Sequence, residues 1–272
     1  MSHTSITLTC NTELKDILIA ELSENGFEGF EERGNELVAY IPENDFSEVA
    51  VERLTKIYGI SYTKENIAQT NWNAVWESNF EPVHVDTFCG IRAGFHPPFD
   101  PQPQHEIIIT PKMSFGTGHH ATTSSMIRLM KDVEFRGKRV FDFGTGTGIL
   151  AILASKMGAS VIEAIDIDEW SVENTKENII TNKALAVKVW RSDTPKSIIN
   201  TYNVVLANIN RNILLEFMGD MRRLLVSGGV LLLSGILKED EKAILEAARQ
   251  HALVLDQQIE KENWLAMKLL AR

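Results

Sequence analysis

The chain has 272 residues, 44% of them hydrophobic, and a formal net charge of −10. That length admits one large domain or two smaller ones, and the acidic balance argues against broad nonspecific affinity for nucleic acid, which relies on clustered Lys and Arg; it either favours a basic partner or, as is commoner, only maintains solubility. Cys10 and Cys89 are too few for a disulfide framework and lack zinc-site spacing. Lys15, Asp16, Glu21 and Glu24 break up any N-terminal targeting pattern, and no apolar run reaches the roughly 18 residues of a membrane span. A cytoplasmic protein without a metal centre is the expectation.

From the N-terminus, TSITLTC alternates as a strand, and residues 13–25 place Leu14, Ile17, Leu18 and Leu22 on one helical face before Gly26. FEGFEER and ELVAYIP are two strands joined through Gly34 and Asn35. Asp45, with Glu48 three residues on, is the expected cap of a second helix whose buried stripe is Phe46, Val49, Ala50, Leu54 and Ile57. ISYTKENIA closes the unit. The order β-α-β-β-α-β predicts a small α+β ferredoxin-like domain over residues 1–68.

Residues 69–82 follow as a linking helix, with Trp72, Val75, Trp76 and Phe80 at helical spacing ahead of Pro82. Short strands over 83–109 are interrupted by the loop GFHPPFDPQPQ. Residues 140–168, VFDFGTGTGILAILASKMGASVIEAIDID, then read as strand, glycine turn, helix and second strand ending in acid, the front of a doubly wound nucleotide-binding sheet. Further strands are expected at 186–191, 203–208 and 230–234, helices at 169–182, 212–225 and 239–251, a turn at Ser227, Gly228 and Gly229, and two final strands in the tail. The result is an α/β seven-stranded sheet with an antiparallel end over residues 83–272, the Rossmann-like arrangement of class I methyltransferases.

The turn separates two cofactors. A dinucleotide fingerprint is G-x-G-x-x-G, aimed at a pyrophosphate; here the order is G-x-G-x-G over Gly144, Gly146 and Gly148, and Ile149 stands where the last glycine should be. The shorter motif suits a ligand without phosphate, such as S-adenosylmethionine, which needs only close passage of the backbone. Asp166 lies about twenty residues past the turn, where a ribose requires an acceptor. Asp193, beyond the third strand, either accepts from the adenine amine or caps a loop, and Asn208, after the fourth, faces the methyl group or the methionyl tail. Asp168 or Glu169 reads as a helix cap. Upstream, PKMSFGTGHHATTSSMI runs into a helical pattern from Met126; its threonines are either caps or hydroxyls of a loop folded over the cofactor.

SFGTGHHATTS, DFGTGTGILAI, IDID, the ANI triplet, NWNAVWESNFEPVHV and Trp264 together resemble the PrmA family, methyltransferases of large-subunit ribosomal protein L11. The resemblance spans nearly the whole chain. It implies cofactor contacts at Thr123, Gly144, Gly146, Asp166 and Asn208, an N-terminal domain that grips the ribosomal protein, a catalytic domain that moves relative to it, and multiple methylation of lysine side chains and of the N-terminal amine. Departures are Thr145 and Thr147, either side of Gly146, where the family more often has Cys-Gly-Ser, His119 and Ala121 in the histidine loop, and Asn210 after the triplet. No general acid or base is assigned; His120 is either a proton acceptor or a structural loop residue. The expectation is a monomer acting on L11 without direct nucleic-acid contact. Another class I methyltransferase, a nicotinamide oxidoreductase and a non-enzymatic binding module are the competing readings.

Overall fold

The computed structural model describes residues 3–67, 80–110 and 118–272. Compactness divides the chain into Met1–Ser78 and Asn79–Arg272. Of the linking helix expected over residues 69–82, residues 69–79 lie outside the described residues, and residues 80–82 are not helical; of its apolar positions only Phe80 is described, buried against the strands that follow.

In the first unit the order is β1 (His3–Thr9), α1 (Thr12–Glu24), β2 (Gly29–Arg33), β3 (Glu36–Pro42), α2 (Glu48–Tyr58) and β4 (Tyr62–Ile67). The strands form one antiparallel sheet in the order β2-β3-β1-β4. Alternation puts Ile6, Leu8, Leu37, Ala39 and Ile41 in one core with Leu18 and Leu22 of α1. Asn11 caps α1, its side chain accepting from Leu14 N. The cap expected at Asp45 is a correction: Asp45 lies in a 3-10 turn (Glu43–Asp45), and Ser47, extended at φ −114°, ψ 106°, accepts from Ala50 N instead. The buried face of the helix is Val51, Leu54 and Thr55; Leu54 of the expected stripe is on it, and Val49 and Ile57 are exposed.

The second unit opens with a three-stranded sheet, β5 (Val83–Val85), β6 (Cys89–Ala93) and β7 (His105–Ile109), antiparallel then parallel. There follow α3 (Ala121–Lys131), β8 (Arg139–Phe143), α4 (Ile149–Lys156), β9 (Val161–Asp166), α5 (Glu169–Thr181), β10 (Val187–Arg191), β11 (Tyr202–Asn208), α6 (Arg211–Leu224), β12 (Leu225–Leu237), α7 (Glu241–Gln250), β13 (Leu253–Lys261) and β14 (Trp264–Ala271). The seven-stranded sheet runs β10-β9-β8-β11-β12-β14-β13, parallel except for β14. Parallel strands buried on both faces read as apolar runs rather than alternations: Val140, Leu206 and Leu232 face one core, and Phe141, Val205 and Leu233 the other. Strand order reverses between β8 and β11, the switch point where such sheets hold ligands.

Two expectations shift in register. β12 begins at Leu225 rather than at residue 230, so the Ser227, Gly228, Gly229 turn is absorbed into the strand, where pairing with β11 slips between Tyr202 and Val204. α3 begins at Ala121, ahead of the pattern read from Met126. Glu262 and Asn263, both at positive φ, make the tight β13–β14 turn. Among the described residues no helix is long and apolar enough to cross a membrane, and no group of three or more His, Cys, Asp or Glu is placed to hold a metal ion.

Candidate functional site

The carboxyl ends of β8, β9 and β11 open into a cavity of about 580 Å³, a size suited to a small-molecule ligand. Thr123, Gly144, Gly146, Asp166 and Asn208 all line it, from four separate elements. His120, Asp193 and Trp264 line it as well. His119 does not: its ring meets the Phe80 ring edge-on at 4.8 Å.

The glycine turn is shaped by steric necessity. At Gly144, φ is +75°, and a Cβ there would stand 2.2 Å from Ile209 Cγ2. On the facing side Gly235, at φ +91°, lies so close to Ile209 that a Cβ would meet its carbonyl oxygen. Both glycines let the Ile209 segment pass, and that segment carries Asn208 to the cavity. Gly235 coincides with a slip in β12–β14 pairing between Ser234 and Ile236, the kind of irregularity that bends a strand.

Asp166 ends β9. One carboxylate oxygen accepts from Gly146 N at 2.8 Å and the other from Asp168 N at 3.0 Å, so this acid orients the turn while retaining lone pairs for a diol. Asp168 caps α5 through Trp170 N and Ser171 N. Beneath the turn, Thr145 Oγ1 donates to Asp142 at 2.7 Å, and full burial, reinforced by the charge of Asp166, pushes the Asp142 carboxyl up to about 7.

Thr123 sits buried in the first turn of α3. The residue that caps this helix is His120, whose Nδ1 accepts from Thr122 N at 3.3 Å and lies 2.8 Å from Thr122 Oγ1; its ring packs edge-on against Trp264 at 4.8 Å. Neither threonine is the cap. Asn208 Nδ2 donates to Thr123 Oγ1 at 3.4 Å, joining residues 85 positions apart. The Asn208 Oδ1 atom is buried and has no hydrogen-bond partner among the described residues. A buried acceptor left open is costly and rare in folded proteins. Asn210, a departure from the family pattern, caps α6 by accepting from Ile213 N at 3.1 Å.

Together these residues fit S-adenosylmethionine. Backbone without Cβ can follow an adenosine and its tail, Asp166 offers acceptors for ribose hydroxyls, and Asn208 offers an unused acceptor in a walled cavity. Sequence reasoning missed Ile209 and Gly235 as parts of the wall. The clue was a glycine directly after a long apolar strand, SG in LLLSGIL, a common mark of close backbone approach.

A family model described as Ribosomal protein L11 methyltransferase (PrmA) matches residues 4–271. A protein of Porphyromonas gingivalis named Ribosomal protein L11 methyltransferase is 42% identical over 275 residues, covering 98% of this chain and 94% of its own. One of Phocaeicola vulgatus with the same name is 37% identical over 284 residues and 100% of both chains. Among solved structures, a ribosomal protein L11 methylase of Lactobacillus delbrueckii subsp. bulgaricus superposes with a TM-score of 0.65 at 24% identity, over 71% of this chain and 100% of that one, a likeness of fold.

Proposed function

The chain belongs to the ribosomal protein L11 methyltransferase (PrmA) family, its cofactor is S-adenosylmethionine, and from that membership we propose that it methylates amino groups of ribosomal protein L11, both lysine side chains and the N-terminal amine. The observation that carries the chemistry is the open Asn208 Oδ1 inside the cavity. S-adenosylmethionine supplies, when bound, a methyl group made electrophilic by a sulfonium. Thr123, Gly144, Gly146, Asp166 and Asn208 are the residues we assign to holding it. Asp166 takes the ribose hydroxyls, the glycine turn lies against the adenosine and methionyl portions, and Thr123 positions Asn208.

An amine attacks only through a free lone pair, whereas a lysine of ordinary pKa near 10.4 is almost wholly protonated at neutral pH. Burial beside a cation lowers that pKa. Asn208 Oδ1 then accepts an N–H and turns the lone pair toward the methyl carbon, so orientation and desolvation do the work and no dedicated base is required. His120 Nδ1 is engaged in the α3 cap, which favours a structural role over proton transfer.

The first unit is the proposed substrate-recognition domain, a ferredoxin-like one. Residues 3–67 carry 13 Asp and Glu against 5 Lys and Arg, most of the excess of the whole chain, a balance suited to a basic protein partner. Residues 69–82 are taken as the linker and 83–272 as the catalytic domain. We read the protein as a cytoplasmic monomer without direct nucleic-acid contact. Transfer of a labelled methyl group to purified L11, with sites located by mass spectrometry, tests the whole reading. Label on lysines and the N-terminal amine is expected; tight cofactor binding with L11 unlabelled and another substrate methylated would overturn the substrate.

A further inference from the structure

Helix α5 carries asparagine at 174, 178 and 182, and all three are buried. Fourth-residue spacing stacks side chains on one helical face with a rise of about 6 Å, close to the ~6.6 Å between alternate residues of a strand. β7 is an edge strand of the three-stranded sheet, and two of the asparagines, Asn182 and Asn178, meet backbone groups at its outer edge and end in step, while Asn174 Oδ1 accepts from Asn178 Nδ2 at 3.3 Å. Asn182 accepts from Ile108 N at 2.9 Å and donates to Ile108 O at 2.6 Å. Asn178 Oδ1 accepts from Thr110 N at 2.8 Å.

Asn178 also reaches the other way. Its Nδ2 donates at 2.8 Å to the carbonyl of Thr147, inside the glycine turn, and Thr175 Oγ1 donates at 2.7 Å to the carbonyl of Gly146. The partners dictate the orientation of the Asn178 amide, because a backbone N–H only donates and a carbonyl only accepts. Both carbonyls are thereby drawn into α5, away from the cavity that Gly146 and Thr147 line. Since each peptide is planar, the direction of the Thr147 carbonyl also sets the amide of Gly148.

We propose that Asn178 is a positioning residue for cofactor binding, one side-chain amide that clamps the glycine turn to the end of β7 and keeps the turn's carbonyls off the ligand. Asn178 is absent from the cavity wall and acts only through the turn. The inference rests on the assignment of the cavity to S-adenosylmethionine.

The test compares two isosteric variants of the full chain. Asn178→Asp keeps the acceptor for Thr110 N but turns the group facing the Thr147 carbonyl into a second acceptor; Asn182→Asp breaks the equivalent tie to Ile108 O and leaves the turn alone. Titration with S-adenosylmethionine should give a Kd raised at least tenfold for N178D and within threefold of the parent for N182D, although both lower the Tm. The N178D deficit should shrink as pH falls, because a protonated carboxyl can again donate to Thr147. In the parent, cofactor should slow hydrogen exchange at the Thr110 amide, and in N178D that coupling should be lost. Should N178D fail to fold, Asn178→Ser, which removes both ties without adding a charge, gives the same comparison. Losses of affinity that follow the Tm equally in both ladder positions, or an Asn178 variant that binds like the parent, would overturn the proposal. A parent that binds no S-adenosylmethionine would overturn the site assignment itself, and the inference with it.

Discussion

Both ends of the seven-stranded sheet are polar, but only one is closed. At the strand starts, Glu163 of β9 accepts from the Tyr202 hydroxyl and from Asn200 Nδ2, and Arg139 lies 3.9 Å away. Asn203 turns back to accept from Arg139 N at 3.0 Å. Burial and the facing carboxylate raise the Tyr202 phenol, so it stays a donor. At the strand ends, Asp166 keeps lone pairs beyond its two amide bonds and Asn208 Oδ1 has no partner among the described residues. A polar cluster that completes itself serves the fold; one that leaves a buried acceptor open keeps a cost that a ligand can relieve.

Changes at the open end should damage activity first. Asn208→Ala is expected to slow methyl transfer about 100-fold, the scale of losing one positioned polar group in a reacting site, and to raise the cofactor Kd by a smaller factor, about 10-fold. Equal losses in both would confine Asn208 to holding the cofactor and remove its part in orienting the amine. Asp166→Ala should raise the Kd for S-adenosylmethionine by roughly 10- to 100-fold, as expected for hydrogen bonds to a charged group; an unchanged Kd would remove the ribose assignment. At the closed end, Tyr202→Phe should cost about 1–2 kcal/mol of stability in urea unfolding and leave cofactor affinity unaltered. If affinity fell with it, the two ends would be coupled and the contrast would fail.

The smallest effect concerns pH. Burial places the folded pKa of Asp142 at about 7, above its ordinary 3.8, so the fold favours the protonated carboxyl. Its contribution to stability is full below about pH 4 and is lost as pH rises through about 7. Asp142→Asn, which can still accept from Thr145, should flatten the fall in Tm of the cofactor-free protein between those limits. A fall as steep as the parent's would assign it to other groups.

Where the chain's own spacing decides the geometry, the residues were readable in advance. Strand, turn, helix and acid of residues 140–168 lie within one β-α-β unit, and Gly144, Gly146 and Asp166 line the cavity. Phase was harder. Asp45 and Ser47 are both good caps by type, and only the 3-10 turn decides between them; which side of the helix meets the sheet, leaving Val49 and Ile57 at the surface, is a matter of packing. The role of Asn178 and Asn182 was not legible, although their fourth-residue spacing is visible, because buried asparagines have meaning only beside the backbone they satisfy.

The sequence by itself determined the local parts of the second unit: a glycine turn of the wrong spacing for a pyrophosphate, an acid about twenty residues past it, and apolar runs suited to a sheet covered on both faces. Those are local properties, read along a few dozen residues. Tertiary structure alone decided which polar atoms were joined and which were left open. Thr123 and Asn208 are 85 residues apart, Thr110 and Asn178 are 68 apart, and no periodicity reports such pairings. The open Asn208 acceptor exists because Gly235 and Gly144 let the Ile209 segment pass between them, a steric fact that only the packed sheet supplies.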